Sequence, residues 1–340
     1  MIRVAIVILN YNGVHFLKKF LPGVCLFSDH PNDAVFVVDN GSSDDSVSYV
    51  KSEFPKINLI EFTANYGFAQ GYYKALRQIA AKYYVLLNSD VEVTKNWLEP
   101  MAKAMDADPG LGACMPKMLD FNNRAYFEYA GAAGGFIDIL GYPFCRGRLL
   151  NSVEKDMGQY EDAMDIFWAS GACMFLRASA YERAGGLDGD FFAHMEEIDL
   201  CWRLRKLGFG IRVVPASTVY HVGGGTLPNN NPHKLYLNYR NNLYLLFKNL
   251  RVIQIVPLLI ARMSLDGMSA LVYLFTGSYS FFMAVLRAHG SFYQNIPALV
   301  RKRSILRVAI GRAKVNGIYP GSILFEFFVR KNRVFSKLHW

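Results

Sequence analysis

Cysteine is scarce and unpaired in this chain. The five cysteines, Cys25, Cys114, Cys145, Cys173 and Cys201, are odd in number, scattered and without a C-x-x-C pair. That argues against a disulfide framework or a zinc site and fits a reducing compartment. Two glycine signatures are also missing, since neither G-x-G-x-x-G nor G-x-x-x-x-G-K-[ST] follows the first apolar run. Their absence speaks against a dinucleotide oxidoreductase and a P-loop NTPase. No secretory leader is expected, because Arg3 to Leu9 already reads as a core strand with no small-residue cleavage site after it. Acidic residues nearly vanish from the last third. From His233 to Trp340 there are 16 Lys/Arg against Asp266 and Glu326, and with a whole-chain charge of +9 the first 232 residues are left at −5. The basic residues of the tail are interleaved with long apolar runs, which fits an anionic membrane surface rather than a nucleic acid.

The 340 residues are 52% hydrophobic and 19% charged, enough for a sizeable core in two domains or one α/β domain with an appendage. The stretch YYVLLNSDVEV, Tyr83 to Val93, organises the rest. Five residues from Tyr83 run without a polar interruption, as in a strand buried on both faces, and then stop at Asn88-Ser89-Asp90. Similar runs at Val4–Leu9, Ala34–Val38 and Ile57–Phe62 alternate with helices predicted over Val14–Phe27, up to Phe54 and through Lys82. The alternation predicts an α/β, doubly wound, mostly parallel sheet of the nucleotide-binding type. Beyond Leu111 the pattern becomes irregular, with a further buried strand expected over Ile166–Leu176 and a strand at Ile211–Val214.

Polar groups fall where such sheets bind ligands, past the strand C-termini. Tyr11, Asp39 and Asp90 follow the first, second and fourth strands and are expected along one edge. Asp90 either caps the following helix or ligates a hard cation such as Mg²⁺ or Mn²⁺; Thr94 is the better-placed cap for a helix from about Asn96. Glu196 and Glu197, flanked by aromatics at a loop-to-helix boundary, suit the helix dipole or a general base. Asp199 and Arg203, four apart, are expected to pair. His221 precedes a Gly-rich run, Gly223 to Gly225, and is either a structural histidine or a metal ligand.

These pieces resemble a family 2 glycosyltransferase, of the group that includes bacterial rhamnosyl- and galactofuranosyltransferases. The matching segments are ILNYNG from Ile8, VVDNGSSD from Val37, NYGFAQG from Asn65, LLNSDVEV from Leu86, MEEIDLCWRLRKLGFGI from Met195, and His221, in the family's order over residues 2 to 225. The resemblance implies a GT-A fold over residues 1–232 and an inverting transfer from a nucleotide-sugar donor to a glycan or lipid-linked acceptor. It implies that Leu9, Tyr11 and Asp39 line the nucleoside pocket, that Asn65 and Gly71 shape its wall, and that Asn88 is left for the ribose. Asp90 then matches the metal-binding acid, His221 its companion, and Glu197, with Glu196 beside it, the base. Asn88 departs from the family's first acid, and Glu197 is one methylene longer than the usual Asp. A sugar nucleotidylyltransferase is the rival within this fold, but its basic Gly-rich first loop is absent; an inactive nucleotide-sugar-binding scaffold is the non-catalytic rival.

Residues 233–340 are expected to be a helical, membrane-associating region on the cytoplasmic side. Leu235 to Asn249 reads as a helix, and Gly267 to Leu286 is a run of twenty residues without a charge, long enough to span a bilayer. A pair of helices lying in the interface, held by basic flanks such as Arg301-Lys302-Arg303 and Arg330-Lys331, fits the same composition.

Overall fold

A computed structural model describes residues 1–223, 231–310 and 315–339. The chain opens with β1 (Ile2–Asn10), α1 (Val14–Leu26), β2 (Asp33–Asn40), α2 (Ser46–Glu53), β3 (Asn58–Phe62), α3 (Gly67–Leu76) and β4 (Ala81–Asn88). Val4 to Val7 and Tyr83 to Leu87 are almost fully buried, so the uninterrupted apolar runs are central strands covered on both faces. In α1, Leu17, Phe20, Leu21 and Val24 recur at helical spacing and turn one stripe inward. Asp44 accepts from the Ser46 amide at 3.1 Å and the Val14 amide at 2.9 Å, holding the first turns of both α2 and α1. Tyr72 on α3 is buried between β1 and β4, its hydroxyl 3.2 Å from the Val7 carbonyl and 3.0 Å from that of Leu87.

Then follow β5 (Val91–Val93), α4 (Glu99–Ala107), β6 (Leu111–Asp120), four short strands β7 (Gly135–Asp138), β8 (Pro143–Cys145), β9 (Arg148–Leu149) and β10 (Ser152–Val153), and β11 (Met164–Asp165). Next come β12 (Cys173–Arg177), α5 (Ala178–Arg183), α6 (Glu196–Lys206) and β13 (Gly210–His221). The main sheet has the order β11-β13-β6-β12-β4-β1-β2-β3, with β5 added to β13. It is parallel from β3 to β4, as expected, but β12 enters antiparallel to both β4 and β6. A second sheet runs β10-β9-β8-β7-β14, where β14 is Ile318–Tyr319.

Several boundaries differ from the sequence reading for local reasons. α3 stops at Leu76 rather than Lys82, because Ala81 and Lys82 already belong to β4. Thr94 caps no helix; its hydroxyl donates to the Thr218 carbonyl at 2.7 Å, and α4 starts later, with Pro100 in its first turn. Ile166 to Ala172 is irregular, and only Cys173–Arg177 of that stretch is a strand. The strand expected to end at Val214 continues as β13 to His221 after a bulge between Val214 and Thr218.

The tail folds as α7 (Pro232–Asn249), α8 (Val252–Phe275) and α9 (Tyr279–Ile310). The uncharged run from Gly267 to Leu286 is two helix ends and a turn: Ser278 N–H bonds the Tyr273 carbonyl and Gly277 N–H that of Leu274, a Schellman motif with Gly277 at φ 75°. The chain then returns to the globular body. β14 pairs in parallel with β7, and the Phe335 ring sits 5.2 Å from Phe136 and 5.9 Å from Tyr160. Phe144, fully buried among Phe136, Tyr319 and Phe335, is the centre of this cluster. Phe144→Ala is expected to cost about 3–5 kcal/mol of stability, read as a fall in the urea midpoint.

Candidate active site

β1 pairs with β2 and β4 in a register that sets Asn10 beside Asp39 and Leu9 beside Asn88. The strand-end residues therefore lie in a row. Asp39 is 3% exposed; its Oδ2 accepts from the Ser42 amide at 2.9 Å and its Oδ1 from Asn10 Nδ2 at 3.4 Å. Tyr11, just past β1, is 39% exposed. Leu9 abuts Gly71, where an added Cβ would lie 3.0 Å from the leucine methyls. Asn65 is exposed, but its Oδ1 is committed to Asn40 Nδ2 at 3.0 Å and the Gly67 amide at 2.8 Å, so it shapes the loop. Asn40, the partner that holds this loop, escaped the sequence reading because it looked like an ordinary turn residue.

β13 brings His221 to the same edge. Antiparallel pairing with β5 sets His221 opposite Val91, and Nε2 comes to 3.2 Å from Asp90 Oδ1 and 3.5 Å from Asn88 Nδ2. On the other side of the ring, Nδ1 is 3.2 Å from Glu128 Oε1. All three groups of this carboxylate–imidazole–carboxylate row are buried. Burial alone would lower the histidine pKa, but Glu128 and Asp90 outweigh it and lift it to about 10. Burial alone would raise Asp90, and the His221 contact instead holds it below its ordinary value. Glu128 was missed because it stands alone in the irregular segment between β6 and β7, with no spacing to mark it. Gly224 and Gly225 of the Gly-rich run lie outside the described residues.

Glu196 and Glu197 open α6 after a contorted loop. Phe192, His194 and Met195 all have positive φ, of 63°, 70° and 71°, a conformation that non-glycine residues adopt only when their surroundings impose it. The imposing group is on α7: Asn241 Nδ2 lies 2.8 Å from each of the carbonyls of Phe191, Ala193 and His194. Arg240 adds contacts to the Asp190 and Phe191 carbonyls at 3.0 and 3.1 Å. Gly67, at φ 74°, meets this loop with no room for a side chain, since a Cβ there would fall 2.4 Å from the Phe192 ring.

Glu196 is fully enclosed and Glu197 is half-buried, yet the Oε2 of each is sealed from solvent without a hydrogen-bond partner. Burial pushes both carboxyls up, Glu196 well above its ordinary range and Glu197 to about 7. Asp199 pairs with Arg203 as expected, and is also bonded by Lys248 at 2.9 Å and Asn249 at 2.8 Å, so both its oxygens are engaged. The glutamates and the histidine row border one backbone segment. Gly171 faces Glu197, such that a Cβ added to the glycine would lie 3.7 Å from the Glu197 Cβ, and the adjoining Ala172 carbonyl accepts from the Asn88 amide at 2.9 Å.

Among the described residues, no three or more His, Cys, Asp or Glu side chains form a ready-made metal cage. Asp90 and His221 would suit a divalent cation that displaces the imidazolium proton facing Asp90: one carboxylate and one imidazole meet at the strand edge, with Glu128 3.2 Å from Nδ1 behind the ring, where a carboxylate orients a metal-binding imidazole. Such a site leaves remaining positions for ligand oxygens and water.

Comparison with known proteins fits this arrangement. The profile of Glycosyl transferase family 2 matches residues 5–185, and the chain belongs to that family. Among its relatives, the N-acetylglucosaminyl-diphospho-decaprenol L-rhamnosyltransferase of Mycobacterium tuberculosis is 25% identical over 231 residues, covering 64% of this chain and 75% of the relative. Rhamnosyltransferase WbbL of Escherichia coli K12 is 24% identical over 223 residues, covering 64% and 83% respectively. S. aureus TarS 1–349 in complex with UDP-GlcNAc superposes with a TM-score of 0.55 at 16% identity, over 92% of this chain and 88% of that one. GalNAc-T7 with UDP, GalNAc and Mn²⁺ gives 0.56 at 14% identity, over 72% of this chain and 48% of the other, about half its length. The protein is thus a glycosyltransferase with the GT-A fold and rhamnosyltransferase-like relatives.

If Asp90 and His221 hold Mn²⁺, Glu128→Gln should lower its affinity about 10- to 100-fold by titration calorimetry, and the melting temperature by circular dichroism should also fall because buried His221 loses a charged partner.

Proposed function

We propose that the protein is an inverting, metal-dependent transferase. It moves a sugar from a nucleotide-sugar donor, of the dTDP-rhamnose or UDP-sugar type, to a hydroxyl of a glycan or lipid-linked acceptor in surface-polysaccharide synthesis. The observation that carries this reading is the meeting of Asp90 and His221 at the strand edge, across the 171–172 segment from a sealed glutamate pair. The rhamnosyltransferase relatives support the sugar class, and the diphospho-decaprenol in one relative's name supports a lipid-linked acceptor.

In this reading Leu9, Tyr11 and Asp39 receive the nucleoside, Asn65 and Gly71 hold the shape of its wall, and Asn88 faces the ribose. Asp90 and His221 would hold Mg²⁺ or Mn²⁺, which when bound neutralises charge on the departing diphosphate. Glu197 takes the proton of the acceptor hydroxyl as that oxygen bonds the anomeric carbon on the face opposite the breaking carbon–diphosphate bond. Asp199 is unsuited to this task because Arg203, Lys248 and Asn249 occupy its oxygens. Glu197→Gln is expected to cut transfer about 10²- to 10⁴-fold while nucleoside diphosphate binding is retained. Wild-type turnover should fall as pH drops through about 7, since the protonated carboxyl cannot accept a proton, and the variant should lack that acid limb. Near-normal transfer in the variant would move the role to Glu196.

The same proposal divides the chain into a transferase domain, residues 1–232, and a membrane-associating helical region, 233–340, at the inner face of the cell membrane. α8 is 24 residues long with a mean hydropathy of 1.6, long and apolar enough to cross a bilayer. Its mid-helix Arg262–Asp266 pair is buried, however, with Arg262 3.8 Å from the Tyr142 ring and Asp266 3.3 Å from His289. A helix whose charged middle is bonded to the globular body is better suited to lying on a membrane than to crossing it. Exposed Ile253, Val256, Ile260, Leu271 and Phe275 form the apolar face for that contact. Carbonate or high salt should release the full chain from membranes; retention in the pellet would make α8 a span.

A further inference from the structure

A cavity away from the strand-edge site opens among the helices of the tail. It is a cleft of about 440 Å³ between the first turns of α7 and the first half of α9. That volume is in the range of small-ligand sites, roughly 300–1,000 Å³. Its polar lining comes from His233, Tyr236, Ser280, Arg287, Ser291 and Gln294, and it contains no acidic side chain. Tyr236 and Ser291 are bonded at 3.0 Å, joining α7 to α9 within the cleft. Arg287 makes no ion pair among the described residues. A guanidinium, an imidazole, hydroxyls and an amide without a carboxylate are the donor set for an anion, and for a phosphate in particular.

The surroundings of the cleft say which phosphate. On one side, Tyr236 of the cleft accepts from Arg240 at 3.4 Å, and the same guanidinium holds the Asp190 and Phe191 carbonyls of the loop before Glu196 at 3.0 and 3.1 Å. Exposed Tyr279, Met283 and Leu286, each one position before the cleft's Ser280, Ala284 and Arg287, run alongside it on α9 as an apolar stripe. Polar site, cationic cleft and apolar helix thus follow one another, matching an amphiphile built of sugar, phosphate and hydrocarbon in that order.

We propose that the α7–α9 cleft holds the phosphate-bearing head of the lipid-linked acceptor, with Arg287 and His233 on the phosphate oxygens and the α9 stripe on the lipid. This rests on the acceptor reading above and assigns it a place. The test uses the full chain in detergent and farnesyl diphosphate as probe, without divalent cation so that binding at the donor site is disfavoured. Two variants are compared. Arg287→Gln removes the charge at an exposed position, and Gly290→Leu fills the cleft, where a Cβ meets nothing within 4 Å. Each should weaken farnesyl diphosphate binding about tenfold or more, the scale of a lost charge-assisted contact, while farnesol binds all three chains alike. The proposal is overturned if both variants bind the diphosphate as tightly as the parent, or if the parent does not distinguish farnesyl diphosphate from farnesol. It is equally overturned if Arg287→Gln weakens only the binding of phosphatidylglycerol vesicles, which would make the cleft a reader of bulk lipid charge. Nucleoside diphosphate binding with Mn²⁺, measured separately, should be the same in all three chains. Its absence from the parent would defeat the transferase reading and leave the cleft result standing.

Discussion

The parallel pairing of β1 with β2 and β4 is the constraint from which the site follows. Parallel strands finish on a common edge, so the residues that end three separate apolar runs become neighbours although they are dozens of positions apart. Tyr72 fixes that edge from beneath, since its hydroxyl bonds carbonyls of both β1 and β4. The other half of the sheet keeps the same edge across one reversed strand. β12 enters antiparallel, and the bulged β13 carries His221 from the far side of the sheet to Asp90. Because β6 and β13 run in the same sense as β4, the carboxylate and the imidazole both stand at strand C-termini and share one edge.

Holding the glutamate loop is a separate task, and it falls to α7. A loop with three non-glycine residues at positive φ costs on the order of 1–3 kcal/mol for each, so it persists only where neighbours over-determine it. Asn241 and Arg240 do this with side chains bonded to loop carbonyls, and the buried Lys248 joins Asp199 on α6 to Asp188 before the loop. Lys302 on α9 also reaches Asp188, at 2.5 Å. Removing one partner from such a buried charge network leaves another uncompensated, which is why the network acts as a unit. The helical tail is in this sense part of the frame of the site.

Most of the first half of the fold was legible because buried parallel strands leave apolar runs, and helices between them leave turn signals. The start of α1 and the four strands follow from that pattern. The second half was less legible because its strands are short, as in β7 to β10, or interrupted, as in β13, where Pro215 falls within the bulge. Thr94 illustrates the limit of local reasoning: its hydroxyl is suited to a cap, but the carbonyl of Thr218, more than a hundred residues away, claims it. The candidate site shows the same division. Asp90, Glu197 and His221 stand beside recognisable strand or helix boundaries, whereas Glu128 and Asn241 act through tertiary contacts that no spacing encodes.

The return of the chain after α9 has a topological consequence. Because β14 is woven into the same sheet as β7, the α8–α9 hairpin is an excursion that leaves one body and comes back to it. Both of its ends are moored on the same side of any surface the hairpin touches. A bilayer could be pierced only by an even number of passes, so α8 could not cross without α9 crossing back. On the proposed membrane surface, a hairpin tethered at both ends would act as a keel of fixed draught and set the height of the strand edge above the lipid.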